Sequence, residues 1–358
     1  MITALNNVAA MASYELADLG DPNAISLAQN ESAFPISPRA LSAGAEALHL
    51  ATLYPDPDWR DLRHAISKVH DIPMDQVLCG AGSMELIGCL IRAFCGQGDE
   101  VLGTEFGYLF VATATQQAGA SYVQAKEPDL RVDIDCLIKD VSDRTKIVFV
   151  CNPGNPTGTR VPNAEIVRLR AALPETVLLI VDQAYGEFDD QDHQPILDMV
   201  RDGRTVMLRT FSKAYGLASA RAGWGYFPSD IATETRKLMN PNNISNVSQA
   251  MATAAMVDQD HMQSVVNRTA AIRTRFITRL QNAGMDVLES HTNFVLIRYP
   301  DSTAAKGADS VLRSSGIILR GMGGYGLPDC LRVTVGSSDV MTKVADILIS
   351  LKETQNDK

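Results

Sequence analysis

Short apolar runs alternate with longer helical patterns from about residue 77 to residue 227. Helical patterns such as those at 83–94 and 163–173 lie between the runs. Strands that read as continuous apolar runs and alternate with helices are typical of a mainly parallel sheet covered on both faces. The sequence therefore predicts an α/β domain. The predicted strands are VLCG (77–80), EVLGT (100–104), KIVFVC (146–151), TVLLIVD (176–182), TVMLRTF (205–211) and AGWGYF (222–227).

A second region begins where the sequence becomes polar and rich in asparagine, at NPNNISNV (240–247). A long helical pattern follows to about Ala283, and shorter apolar runs and helical patterns then alternate. This succession predicts a smaller α+β domain. The expected division is an N-terminal arm that joins the small domain (1–45), a large domain (46–245) and a small C-terminal domain (246–358).

Composition excludes several classes of function. The 358 residues carry a formal net charge of −10, so a nucleic-acid partner would bind against an unfavourable mean field. Six cysteines without a C-x-x-C pair and six histidines without H-E-x-x-H predict neither a disulfide framework nor a metal site. The N-terminal segment has no signal-peptide pattern, and no apolar stretch is long enough to span a bilayer. We therefore expect a cytoplasmic protein with reduced thiols.

Lys213 follows an apolar run, and Arg221 comes eight residues later. A lysine placed where a strand gives way to a loop can form a Schiff base with an aldehyde, and a nearby arginine can hold that aldehyde's phosphate. The pattern is weak alone, because most lysines are solvated surface charges. Its weight depends on what accompanies it.

Three other predicted strands end in residues that suit the same kind of ligand. The Gly-Ala-Gly-Ser turn at 80–83 can cradle a phosphate with backbone N–H groups and a helix N-terminus. The proline-rich loop after Cys151 holds Asn155, whose amide can donate to a phenolate oxygen, and Tyr185 can donate to the same atom. Asp182 can pair with a protonated pyridine nitrogen. The structural alternatives are a plain turn, a proline turn and a helix N-cap.

Four motifs occur in this order along the chain: the G-A-G-S turn, N-P-G-N-P-T-G (152–158), V-D-Q-A-Y (181–185), and S-K with its later arginine. With this set of motifs the chain resembles the class I and II aminotransferases of fold type I. The similarity extends over roughly residues 27–336. It implies pyridoxal phosphate as cofactor, and a large domain with a mainly parallel seven-stranded sheet beside a smaller α+β domain.

Within that superfamily the chain is most similar to histidinol-phosphate aminotransferases. The resemblance implies transfer of an amino group between glutamate or 2-oxoglutarate and an amino compound. Histidinol phosphate is the first choice for that compound. The resemblance also implies that the protein is a homodimer. Aromatic or other amino acids are the alternative substrates, and a decarboxylase, lyase or oxidase on the same scaffold is the alternative reaction. The segments that carry the likeness are LAQNESAFPISP (27–38), YPDPDWRDLRHAIS (54–67), SHTNFVLIRY (290–299) and GIILRGMGGYGLPDCLRVTVGS (316–337).

The resemblance also implies a role for each matching residue. Catalysis is assigned to Lys213, Asp182 and Tyr185. Cofactor contacts are assigned to Ala81, Gly82, Ser83, Ser212 and Arg221 at the phosphate, Tyr108 on the ring, Asn155 and Tyr185 at the phenolate oxygen, and Tyr54 from across a dimer interface. Substrate contacts are assigned to Tyr14, Asn30, Arg320 and Arg332.

Three positions depart from the family's usual pattern. Gln183 stands where glutamate is usual, Met84 replaces a usual aspartate, and the loop before Tyr108 reads GTEFG where proline is expected. The residues assigned to the cofactor's chemistry are unaffected. The departures leave the identity of the amino substrate open.

Overall fold

Helices and strands alternate along most of the chain in this computed structural model, which describes residues 2–11 and 23–356. The strands are β1 Ile25–Ser26, β2 Val77–Gly80, β3 Glu100–Thr104, β4 Ser121–Ala125, β5 Thr145–Cys151, β6 Leu178–Asp182, β7 Thr205–Thr210, β8 Gly223–Tyr226, β9 Asp286–Val287, β10 Phe294–Arg298, β11 Ile317–Ile318, β12 Arg320–Met322 and β13 Leu327–Thr334. The helices are α1 Asn6–Ala9, α2 Pro38–Ala47, α3 Arg60–His70, α4 Ser83–Phe94, α5 Leu109–Gln117, α6 Ile134–Lys139, α7 Asn163–Ala172, α8 Gln194–Arg201, α9 Ser229–Arg236, α10 Asn246–Val257, α11 Gln259–Asn282, α12 Ser302–Ser314 and α13 Ser338–Asn356. None of these helices has both the length and the apolar content needed to cross a bilayer.

The central sheet has seven strands in the order β2-β8-β7-β6-β5-β3-β4. Strands β3 to β7 run parallel, and β8 is antiparallel to both β2 and β7. Each of the six apolar runs forms a strand, so the predicted α/β class is confirmed. The seventh, β4, lies at the edge and is mostly half-exposed or exposed. Its sequence, SYVQA, lacks the apolar run that marks a buried strand.

Helix α4 shows how the sequence directs a helix N-terminus toward one edge of the sheet. Gly82, at a φ of 78°, turns the chain sharply out of β2 and precedes the first helical residue. One face of the helix then buries Leu86, Ile87, Leu90 and Ile91 completely. Burying each such side chain contributes about 1.5–3 kcal/mol. This packing fixes the helix with its N-terminal N–H groups at the carboxyl end of the sheet.

The second sheet is antiparallel, in the order β12-β13-β10-β9, and β1 pairs separately with β11. The apolar run at 316–320 therefore does not form one strand. Ile317 pairs with Ile25 of β1, whereas Arg320 pairs with Arg332 in the larger sheet. The partner of β11 comes from the amino-terminal part of the chain, which no local pattern at 316–320 reveals.

The two largest hydrophobic clusters of the described residues accompany the two larger sheets, and a small third cluster includes Leu296 and Met322 of the antiparallel sheet. Buried residues of α10 and the first part of α11, up to Val266, pack into the core of the seven-stranded sheet. From Phe276 onward α11 packs into the second core. Leu27 belongs to the second core but Ala40 to the first, so the amino-terminal segment is shared. The division at residues 45 and 245 stays a prediction, since the change of core falls inside α11.

We predict that Gly223→Ala destabilises the fold, because β8 lies directly against the turn before α4. A methyl group on Gly223 would lie 2.6 Å from the backbone carbon of Gly82. Such overpacking typically costs about 1–3 kcal/mol of unfolding free energy, measurable by urea denaturation. Gly321→Ala is the matched control, because a methyl group there meets nothing within 4 Å. Equal effects of the two substitutions would contradict the prediction.

Candidate active site

A cavity of about 490 Å³ opens at the carboxyl ends of the parallel strands, between the two sheets. It brings together twelve of the residues singled out from the sequence. They come from the amino-terminal segment, from the loops after β2, β3, β5, β6 and β7, and from β12 and β13. The twelve are Asn30, Gly82, Ser83, Tyr108, Asn155, Asp182, Tyr185, Ser212, Lys213, Arg221, Arg320 and Arg332.

Two other predicted site residues, Tyr54 and Ala81, do not line this cavity, and a third, Tyr14, lies outside the described residues. Tyr54 is 89% exposed. The backbone N–H of Ala81 donates to the carboxylate of Glu85 over 2.6 Å, and Asn243 donates to the same oxygen over 2.5 Å. The predicted contact of Ala81 with a phosphate stays a prediction; in this structure its amide donates to Glu85 within the turn.

The amine of Lys213 enters the cavity from the segment that follows β7. Its Nζ donates to the carbonyl oxygens of Gln29 and Asn30, over 3.2 and 2.9 Å. Burial first, and the charge of Arg332 second, lower the pKa of Lys213 to about 7, against the opposing effect of Glu31. A substantial fraction of the amine is therefore uncharged at neutral pH, as a nucleophile or general base requires.

Asp182 is the last residue of β6 and is 3% exposed. Burial raises the pKa of its carboxyl group to about 7, and the hydrogen bond from the N–H of Ala184, at 3.1 Å, acts against that rise. Among the described residues no cation forms an ion pair with Asp182. A buried carboxyl group in this state is stabilised as a carboxylate by any cationic N–H brought beside it.

Asn155 and Tyr185 each keep a donor hydrogen for a ligand. The Oδ1 atom of Asn155 accepts from Arg332 over 2.5 Å, and the amide nitrogen, which this bond does not use, can donate to a ligand. The hydroxyl oxygen of Tyr185 accepts from Asn30 Nδ2 over 2.9 Å, so its own hydrogen can be donated. The loop that carries Asn155 is braced by Asn152, which exchanges two hydrogen bonds with the backbone of Val161.

Gly82, Ser212 and Arg221 lie together at the N-terminus of α4, and this group is called the anion site below because its donors suit an anion. A Cβ atom on Gly82 would lie 2.5 Å from Arg221 Nη2, so only glycine lets the guanidinium lie against this turn. The other terminal nitrogen of Arg221 donates to the carbonyl oxygen of Ala218 over 2.9 Å and lies 3.5 Å from the Ser212 hydroxyl. A helix N-terminus, a guanidinium and a hydroxyl together suit a phosphate.

Arg320 and Arg332 lie directly opposite each other on β12 and β13, and both line the cavity. Arg332 is 6% exposed and donates to Asn155 and to the carbonyl oxygen of Ala28. Its Nε atom has no hydrogen-bond partner within the described part of the chain. Like charges directly across a strand pair are destabilising, so this pair suits an anionic ligand.

The cavity also holds residues that the sequence did not single out as contacts. Thr210 exchanges hydrogen bonds with Ser212, accepting from its N–H over 3.1 Å and donating to its hydroxyl over 3.0 Å. Its position at the end of β7 is the signal that could have identified it. The full additional set is Ala28, Gln29, Glu31, Met84, Cys151, Ala184, Thr210, Ala218, Ser219 and Tyr325.

These groups have a counterpart for each polar part of pyridoxal phosphate. The anion site suits its phosphate, Asp182 its ring nitrogen, and Asn155 with Tyr185 its phenolic oxygen. Lys213 supplies the amine that its aldehyde requires. The donor set therefore fits this cofactor.

We predict that Lys213 in cofactor-free protein titrates near pH 7, so that its acetylation rate rises through that pH. Peptide mass spectrometry after brief treatment with acetic anhydride measures the rate. Arg332→Met removes a positive charge that lowers the pKa of Lys213, so the midpoint should move to higher pH. Arg320→Met is the control, with an unchanged midpoint. A wild-type midpoint at the ordinary lysine value would refute the prediction.

Comparison with known proteins agrees with this geometry. The sequence pattern of the family described as aminotransferase class I and II matches residues 22–348. Histidinol-phosphate aminotransferase of Jannaschia sp. (strain CCS1) is 41% identical over 333 residues, which cover 93% of this chain and 92% of that protein. The protein of the same name from Paracoccus denitrificans (strain Pd 1222) is 40% identical over 330 residues, covering 92% and 89% of the two chains.

Solved structures extend the agreement to three dimensions. The crystal structure of histidinol-phosphate aminotransferase from Sinorhizobium meliloti in complex with pyridoxal-5'-phosphate is similar with a TM-score of 0.86. It is 30% identical, and the match covers 92% of this chain and 91% of that one. Together, the fold, the cavity and these similarities show that the chain belongs to the class I and II aminotransferase family.

Proposed function

We propose that this protein is a pyridoxal-phosphate-dependent aminotransferase that moves an amino group between histidinol phosphate and 2-oxoglutarate. The observation that carries the choice of substrate is the pair Arg320 and Arg332, opposite each other on the cavity wall. The names of the relatives at 36–41% identity support the same substrate.

The number of arginines favours a substrate with more than one negative charge. Arg221 belongs to the anion site at the helix N-terminus, which leaves Arg320 and Arg332 for the substrate. A phosphate monoester, or the two carboxylates of glutamate, engages both guanidinium groups. An aromatic amino acid brings only one carboxylate and leaves one of the two paired cations uncompensated. The pair therefore favours histidinol phosphate over phenylalanine or tyrosine.

When bound, pyridoxal phosphate supplies an electron sink for the carbanion formed at the substrate carbon. Lys213 Nζ accepts the proton from that carbon and later returns a proton, because its lowered pKa lets it act as base and acid near pH 7. Asp182 would hold the ring nitrogen in its protonated form. Asn155 and Tyr185 would donate to the phenolic oxygen, and Tyr108, which lines the same cavity, would contact the cofactor ring.

The same proposal includes a homodimer in which Tyr54 completes the neighbouring subunit's phosphate site. Tyr54 is 89% exposed in a segment that also exposes Leu41, Leu48 and Leu53, each by about 60%. Exposed apolar side chains concentrated in one segment are typical of an interaction surface.

All six cysteines are unpaired, which supports a reducing cytoplasmic location.

Lys213→Ala should abolish both the visible absorption of the bound cofactor and transamination.

Arg320→Gln should lower kcat/KM for histidinol phosphate by about tenfold to 100-fold, the effect of losing hydrogen bonds to a charged group. The kcat/KM for phenylalanine, measured with the same acceptor 2-oxoglutarate, should change much less. Retention of turnover by Lys213→Ala, or equal losses for both substrates in Arg320→Gln, would argue against the proposal.

The location of Tyr54 is tested by mixing two inactive variants, Lys213→Ala and Tyr54→Ala, under conditions that exchange subunits. If Tyr54 acts across the interface, each hybrid dimer contains one complete site and activity returns. If it acts within its own subunit, both sites of the hybrid stay defective and no activity returns. Mixtures of each variant with itself are the controls.

A further inference from the structure

A buried polar group that is not part of the cavity lining contacts the segment that carries Asp182 and Tyr185. Arg209 forms an ion pair with Glu187, with 3.1 Å between Nη1 and Oε1, and the two side chains are only 6% and 3% exposed. The other terminal nitrogen of Arg209 donates to Gln183 Oε1 over 3.1 Å. The guanidinium thus binds Gln183 and Glu187, which lie on either side of Tyr185 in the chain.

The backbone between those two points is shaped to receive the guanidinium. A Cβ atom on Gly186 would lie 3.0 Å from Arg209 Cζ and 3.1 Å from its Nη2 atom. The φ of Gly186 is not positive, so close approach rather than backbone conformation requires glycine here. His193 adds a second hold, with its ring nitrogens 3.2 Å from Gln183 Nε2 and 3.1 Å from the carbonyl oxygen of Gly186.

Arg209 also belongs to the strand that leads to the reactive amine. It lies in β7, next to Thr210 and four residues before Lys213. The segment that it grips continues directly from β6. The guanidinium therefore joins the two strands whose ends place Asp182 and Lys213 on the same cavity.

Stability alone does not account for this arrangement. Arg209 Nε and Glu187 Oε2 are buried without a hydrogen-bond partner in the described part of the chain. Burial raises the pKa of Glu187 despite the neighbouring arginine. A buried ion pair that is only partly satisfied is a weak source of stability, and apolar residues of similar volume often serve as well. Such a pair is better suited to fixing one conformation.

The neutral amide at position 183 fits that role. Gln183 stands where the family usually has glutamate, and it is fully buried. With glutamine there, one arginine faces one carboxylate, and the amide can donate to His193 while it accepts from Arg209. A second carboxylate would leave a net negative charge in this buried group, which is costly.

We propose that Arg209, Glu187 and Gln183 are positioning residues for the reaction: they hold the chain from Asp182 to Glu187 against β7, so that Asp182 and Tyr185 keep their places relative to Lys213. The proposal rests on the proposed aminotransferase function. It adds that residues outside the cavity set the geometry at the cofactor's ring nitrogen and phenolic oxygen.

Two substitutions disturb this hold in different ways. Arg209→Lys keeps the positive charge but loses the planar fork that reaches Gln183 and Glu187 together. Gly186→Ala keeps every polar side chain and pushes the guanidinium away from the backbone. Arg63→Lys is the matched control, because Arg63 is also buried and bridges Asp58 and the carbonyl oxygen of Met74 outside the cavity.

The experiment measures three quantities on enzyme saturated with pyridoxal phosphate: kcat and KM for the amino donor, the pH at which the cofactor's visible absorption titrates, and Tm. Arg209→Lys and Gly186→Ala should lower kcat by about tenfold to 100-fold, the range for a displacement near 1 Å at the reacting groups. They should also shift the titration of the absorption, because Asp182 and Tyr185 contact the cofactor. Arg63→Lys should change only Tm.

The inference is overturned if both variants behave like Arg63→Lys, with lower Tm but unchanged kcat and titration. If Arg209→Lys does not fold, Gly186→Ala decides the question, since it keeps both charged side chains. If the wild-type protein transaminates and both variants have the same kcat and the same titration, the positioning role alone is refuted. A wild-type protein with neither visible absorption nor transamination would refute the proposed function as well.

Discussion

The parallel hydrogen-bonded register of β5, β6 and β7 is the constraint on which the site depends. Cys151 pairs with Asp182, the last residue of β6, so β5 and β6 end at one level; Asp182 pairs with Leu208, and β7 continues two residues further to Thr210. The chain leaves each strand at the same edge of the sheet, as parallel topology requires. The loops that carry Asn155, Tyr185 and Lys213 therefore meet there, although long stretches of sequence separate them.

Charge is distributed unevenly over this frame. The chain as a whole is acidic, with a net charge of −10, yet Arg221, Arg320 and Arg332 converge on one cavity. Burial lowers the pKa of Lys213 and raises that of Asp182, so that both groups have a pKa of about 7 before any ligand binds. An anionic cofactor and an anionic substrate would compensate the arginines and the lysine together.

The motifs that could be recognised in the sequence share one property. Asp182 ends an apolar run, and Asn155 and Lys213 follow one closely, so each could be placed at a strand end before any tertiary contact was known. Residues that depend on the partner of a turn or strand were harder to find. Glu85 accepts a hydrogen bond from the Ala81 amide, and Thr210 accepts one from the Ser212 amide. Neither contact belongs to a sequence motif.

The sequence by itself determined the α/β class, six of the seven strands of the large sheet and the residues at their ends, because apolar runs and turn residues are local signals. Only the tertiary structure decided that Arg320 lies opposite Arg332 and that β11 leaves β12 to pair with β1. It also decided that Arg209 grips the segment behind Asp182. These are long-range pairings, set by strand register and side-chain packing between distant parts of the chain, and local sequence carries no record of them.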